Sequence, residues 1–167
     1  VVIIGIDPGL AHTGWGVVEL RDDSWCAVAY GCIDTSSKDS MAKRLSTIHE
    51  GVHEVISRYQ AKHAAIEEVF FGTNAKSAFS LGQARGSALL ACVTCEGEIG
   101  EYSPNTVKQY IVGHGHADKE QVAFMVQQLL NLDHLPQPDH CSDALAIALT
   151  HGYAIGNDAR MREGCQQ

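Results

Sequence analysis

Apolar residues gather in three short runs at the start of the chain, Val1–Asp7, Gly14–Leu20 and Trp25–Ile33, with only Gly- or Asp-containing turns between them. Runs this rich in Val, Ile and Trp predict strands, and spacing this close predicts an antiparallel meander. The period then changes. In "MAKRLSTIHEGVHEVISRYQ" the residues Leu45, Ile48, Val52, Val55, Ile56 and Tyr59 recur at helical spacing, which predicts an amphipathic helix over 41–60. Ala64–Phe71 predicts a fourth strand, and Thr73-Asn74 can cap a helix running from Ala75 to about Glu96. Ile99–Ser103 predicts a fifth strand. Ser103-Pro104 begins the next helix, with proline in the first turn where no N–H is needed. Asp118-x-x-Gln121 reads as the capping box of a helix ending near Leu132, and Pro136 and Pro138 precede a last helix over 140–154. The order β-β-β-α-β-α-β-α-α-α predicts one α/β domain over residues 1–155, a mixed five-stranded sheet flanked by helices. Residues 156–167 turn polar and read as a flexible tail.

Three features break the apolar pattern. Asp7 ends a strand that reads as buried, where an unpaired carboxylate is costly. Glu67 and Glu68 sit in the fourth strand, and because successive side chains alternate faces only one of them can belong to a site. Spacing does not say which. At the start of the last helix come Asp139, His140 and Asp143. His140 and Asp143 are three apart and share a helix face, whereas Asp139 is rotated away and reads as an N-cap.

Carboxylates crowded together raise one another's pKa unless cations bind them. If the first and fourth strands are neighbours and the last helix crosses them, three acids and an imidazole converge. Such an oxygen-rich set suits Mg²⁺ or Mn²⁺, and two such ions about 4 Å apart serve in-line displacement at phosphorus. Each acid also has a plainer use, as a turn residue for Asp7 before Pro8-Gly9 or a buried ion-pair partner for Glu67.

Composition changes that picture in two ways. With 12 basic and 20 acidic residues the net charge is −8, which argues against nonspecific nucleic-acid binding through a basic surface, although two bound divalent ions would halve it. The six cysteines are scattered, there is no apolar stretch of membrane-spanning length, and no signal peptide is visible; the expectation is a cytoplasmic protein with reduced thiols. Cys92-x-x-Cys95 lies within the apolar run "SALLACVTC" and reads as buried packing rather than as a metal or redox pair.

The same residues carry a family resemblance. "GIDPG" with "TGWGVV", "AIEEVFFGTNAKSAFSLGQARG", "VKQYIVGHGHADKEQV" and "SDALAIALTH" resemble the successive motifs of the bacterial RuvC-type Holliday junction resolvases, from about Ile3 to Tyr153. The resemblance implies an RNase H-like fold, a homodimer, and Mg²⁺-dependent paired nicking of four-way junction DNA alongside a RuvAB-like branch-migration helicase. It implies two Mg²⁺ per active site, with catalytic acids at Asp7, Glu67 and Asp143, and so selects Glu67 over Glu68. Three residues before Asp143 the family pattern often has Asp; here stands His140, as in some members that use His. A mixed nitrogen and oxygen site favours Mn²⁺ as a substitute, and activity should fall as His140 protonates, near an unperturbed pKa of about 6.5. Phe70 matches an aromatic pressed into the junction centre, where stacking on unpaired bases is favourable. Lys108 and Lys119 match basic residues near the scissile phosphate, and Lys76 and Arg85 extend a DNA track.

Two other motifs lead elsewhere. "HEGVH", His49 to His53, fits the H-E-x-x-H zinc signature, but Gly51 interrupts it and the core positions of that helix leave both histidines on its shoulder. "GHGHADKE" places His114 and His116 in a glycine loop that reads as flexible. The alternatives to a junction resolvase are another RNase H-like nuclease, such as a small YqgF-type protein, and a catalytically weak junction-binding module, which the His140 departure keeps open.

Overall fold

Strand β1 (Val2–Asp7) is the centre of the fold, and both layers are built on it. A computed structural model describes residues 1–68 and 74–164. β2 (His12–Arg21) pairs antiparallel with β1, and β3 (Ser24–Asp34) pairs antiparallel with β2, as the meander pattern predicts. β4 (His63–Glu67) and β5 (Ile99–Tyr102) extend the other edge in parallel, giving the order β3-β2-β1-β4-β5. The parallel pairs need crossovers, and helices α1 (Met41–Tyr59) and α2 (Ala75–Cys92) supply them.

One sheet face packs Ile4, Ile6, Val17 and Ile66 against Ile48, Val52, Val55 and Ile56 of α1 and Ala84 and Ala88 of α2. The other packs Ile3, Val18 and Ala65 against α5 (Asp139–Gly164), with α3 (Pro104–Val112) and α4 (Lys119–Leu129) behind it. The helix starts follow local chemistry. Ser40 caps α1, Ser103 precedes Pro104 in α3, and Asp118 and Gln121 form the expected capping box.

A row of small residues lets α5 lie close to the sheet. Gly16, Gly5, Ala65 and Gly100 are partners across β2, β1, β4 and β5. A Cβ on Gly5 would stand 2.1 Å from the Ala144 carbonyl oxygen, and one on Gly16 would stand 2.8 Å from Leu145. Glycine inside a strand marks close approach, and here it makes the trough that seats the helix.

The boundaries differ from expectation in four places. α2 stops at Cys92 rather than near Glu96, because the amides of Val93, Thr94 and Cys95 each bond three residues back and tighten the chain out of the helix. β4 ends at Glu67, and the rest of the run predicted to Phe71 lies mostly outside the described residues. Asp139 is the first residue of α5, exposed in its opening turn, rather than a cap before it. α5 also continues to Gly164, where polar composition predicts a tail from 156: Ala159, Arg160, Met161, Arg162 and Glu163 favour a helix, and no proline interrupts the run. Asn74 caps α2 through its side-chain oxygen, while Thr73 lies outside the described residues. Among the described residues no helix is long and apolar enough to cross a membrane. Cys92 is buried, and burial pushes its thiol up to about 12 and that of Cys95 to about 11, which fits inert packing.

Candidate active site

Parity along two strands and one helical turn brings the acids together. Asp7 shares the face of Ile3 and Gly5 at the end of β1, the face that α5 covers. Glu67 shares the face of Ala65 at the end of the adjacent strand β4. Glu68 is exposed one position further, its amide bonded to the Tyr102 carbonyl at 2.8 Å. His140 and Asp143 descend from the first turn of α5. Asp7, Glu67, His140 and Asp143 therefore line one cleft of about 360 Å³, with Lys108 of α3 and Lys119 of α4 on its wall.

Within it the ligand atoms of Asp7, His140 and Asp143 lie within 4.8 Å of one another. His140 Nδ1–H donates to Asp7 Oδ2 at 2.6 Å, and Lys119 Nζ donates to Asp143 Oδ2 at 3.1 Å. Asp7 is thus not unpaired. An imidazole meets it where the sequence suggested a cation would.

The electrostatics of the cleft are those of an excess of acid. Burial raises the Asp7 carboxyl above its ordinary range, with the His140 hydrogen bond pulling it back. Burial, and then the charges of Asp7 and Asp143, push Glu67 up to about 7. Lys119, held by Asp143, is raised. Of the three carboxylates, Asp143 meets Lys119 and Asp7 meets His140, and these hard oxygen donors with one imidazole fit a divalent cation such as Mg²⁺ or Mn²⁺.

The Glu67 shift has a testable sign. A carboxyl raised in the fold binds a proton there that the unfolded chain has lost, so stability falls as pH rises from about 4.3 through 7. In chelator, Glu67→Gln should be more stable than the wild type at pH 8, by on the order of 2 kcal/mol at about 1.4 kcal/mol per pKa unit after discounting for partial exposure. The gap should close below pH 4. Urea denaturation at several pH values measures it, and a gap independent of pH would contradict the burial of that charge.

A family model described as crossover junction endodeoxyribonuclease RuvC matches residues 3–151. The chain belongs to the RuvC family. A RuvC of Moorella thermoacetica is 47% identical over 150 residues, covering 90% of each chain. A structure of Thermus thermophilus RuvC aligns with a TM-score of 0.85 at 39% identity over 96% of each chain. T. thermophilus RuvC in complex with a Holliday junction substrate aligns with the same score at 41% identity, over 92% of this chain and 94% of that one. The RNase H-like architecture expected from the motifs is the architecture found.

The remaining expected site residues of this RuvC chain divide. Lys108 and Lys119 line the cleft, and Lys76 is exposed in the first turn of α2. Arg85 is turned inward: its Nε donates to the Glu67 carbonyl at 2.8 Å and its guanidinium pairs with Glu101, so it braces the end of β4 rather than lying open on a DNA track. Phe70 lies outside the described residues. His49 and His53 stack on each other on α1 and join no metal-capable group among the described residues. Two residues beside the site escaped sequence reasoning, His12 and Asp34. They meet only through the β2–β3 register, and no local motif announces that.

Proposed function

We propose that this chain is a homodimeric, metal-dependent endonuclease that resolves four-way DNA junctions by symmetric nicks. The observation that carries the reading is the convergence of Asp7, His140 and Asp143, from ends of the chain 133 residues apart, with Glu67 in the same cleft. Asp7, Glu67, His140 and Asp143 would hold two Mg²⁺, with Mn²⁺ an acceptable substitute. When bound, such ions supply an activated water and neutralise the charge that develops on the phosphate and its leaving oxygen.

The protein's own groups do the rest. Asp7, from β1, sits between the residues of α5 and β4 and so belongs to both halves of the site. His140 and Asp143 are fixed together by one helical turn. Lys108 and Lys119 would present ammonium groups to a phosphate at the cleft mouth, Lys119 from its place beside Asp143. The catalytic unit is the single domain of residues 1–155, working in the cytoplasm beside a RuvAB-like branch-migration helicase.

The outer face of α2 supports the dimer. Phe79, Leu90 and Val93 are 69%, 63% and 65% exposed, and Gly82 and Gly86, on the same stripe, have nothing within 4 Å of a built Cβ. A stripe of large apolar residues around two glycines suits a second copy of the same helix at close range, and a two-fold pairing would set two clefts at fixed separation. Leu90→Glu should shift the protein to monomer in sedimentation and reduce paired nicking more than ten-fold, the cost of burying an unpaired charge at the contact. A dimer unmoved by Leu90→Glu places the interface elsewhere.

Purified protein incubated with a labelled mobile junction or matched linear duplex, in Mg²⁺, Mn²⁺ or chelator, tests the function. Symmetric cuts in the junction alone, absent in chelator, are expected. Equal cutting of duplex would turn the reading to a general RNase H-like nuclease, and tight binding without cuts to a junction-binding module.

A further inference from the structure

On the face of β2 beneath the start of α5, two successive positions, Gly14 and Gly16, carry no side chain. Gly16 makes room for Leu145, and Gly14 makes room for the first turn of the helix, where a Cβ would stand 2.2 Å from the His140 carbonyl oxygen and 2.8 Å from the His140 Cβ. The next residue on that face is His12, where β2 begins. Its ring stacks against that of His140, centroids 6.0 Å apart and planes 27° from parallel, within the range of offset stacking. His12 does not hold this place unaided. It is the cross-strand partner of Asp34 at the end of β3, and His12 Nδ1 bonds Asp34 Oδ1 at 2.7 Å.

We propose that His12, clamped by Asp34, is a positioning residue of the active site: its ring fixes the plane of His140 and so aims the imidazole at Asp7 and the ions. This rests on the reading of His140 as a metal ligand. The physical need is specific. A carboxylate rotated about its last bond presents a second equivalent oxygen, whereas an imidazole rotated by the same amount points its nitrogen away. The His140 side chain is 41% exposed, so packing alone does not lock it. The glycines let α5 settle, and His12 is the wall that stops the ring from turning outward. Ordering of ligands through their neighbours typically changes metal affinity or activity by about 10- to 100-fold.

Three proteins, wild type, His12→Ala and His12→Phe, are compared by Mn²⁺ calorimetry without DNA and by single-turnover junction cleavage with junction affinity measured in chelator. His12→Ala should weaken Mn²⁺ binding and slow cleavage by about ten-fold, with junction affinity within about two-fold and the thermal midpoint unchanged. His12→Phe, which keeps a flat ring, should recover most of both losses. Equal loss in the two variants overturns the stacking role, and lost junction affinity with unchanged Mn²⁺ binding makes His12 a DNA contact instead. Wild-type protein that binds no Mn²⁺ removes the metal-site reading and this inference with it; wild-type binding matched by His12→Ala removes this inference alone.

Discussion

Asp7→Asn should abolish junction cleavage, by on the order of 10³-fold or more in single-turnover rate, while junction binding stays within about three-fold. The substitution keeps the shape of the side chain and one oxygen to accept the His140 hydrogen bond of 2.6 Å. What it removes is the carboxylate charge that β1 brings to the meeting point of β1, β4 and α5. Because burial holds that charge at a disadvantage in the absence of cations, the variant should fold at least as well as the wild type at neutral pH in chelator. Loss of activity with retained or improved stability separates a chemical role from a structural one. Residual cleavage within ten-fold of wild type would falsify the assignment of Asp7. Glu68→Gln is the matched control, since Glu68 is exposed beyond the strand end and lines no part of the cleft.

The two glutamates show what the sequence could and could not settle. Alternation dictates that only one enters a site; the family motif selects Glu67, and the parity of Ala65 places Glu67 on the face that α5 covers. The meander, the crossovers and the capping box of α4 were legible because each depends on neighbours a few residues apart. His140 and Asp143 were legible for the same reason, as residues one turn apart. Arg85 was not. Whether a helical arginine faces solvent or the carbonyl of Glu67, 18 residues earlier, depends on how α2 rolls against β4, which no local pattern states. Asp139 looked like a cap because the residue type suits one, yet the helix begins on it. The His12–Asp34 clamp depends on hairpin register carried to the far ends of two long strands, across a register shift between Val17 and Val18. A local reading cannot count through such a shift. The glycines were the missed opportunity: Gly5, Gly14 and Gly16 inside strands signal close backbone approach, and together they say that a helix lies on that face.

Gly5→Ala should therefore unfold or grossly loosen the protein, although it adds a single methyl group. The new Cβ would stand 2.1 Å from the Ala144 carbonyl oxygen, 2.5 Å from the Ala148 amide nitrogen and 2.8 Å from the Ala148 Cβ. Two of those atoms are helix backbone, and α5 is also seated by Gly16 on one side and Gly100 on the other, so it can neither swing a side chain aside nor slide along the sheet. Overpacking in a core costs about 1–3 kcal/mol where side chains can yield, and against backbone the expected loss is about 3 kcal/mol or more. For a domain of this size that is a fall of roughly 10 °C in melting temperature. Any relief must lift α5 from β1, and α5 carries His140 and Asp143 while β1 carries Asp7. Whatever Gly5→Ala protein remains folded should thus bind Mn²⁺ more weakly than the wild type, because its donors no longer converge. Gly5→Ala melting within 2 °C of wild type, with Mn²⁺ affinity intact, would show that the trough does not set the distance between helix and sheet. The same small residues that let the fold close also decide that Asp7 meets the chain-distant pair His140 and Asp143 within 4.8 Å.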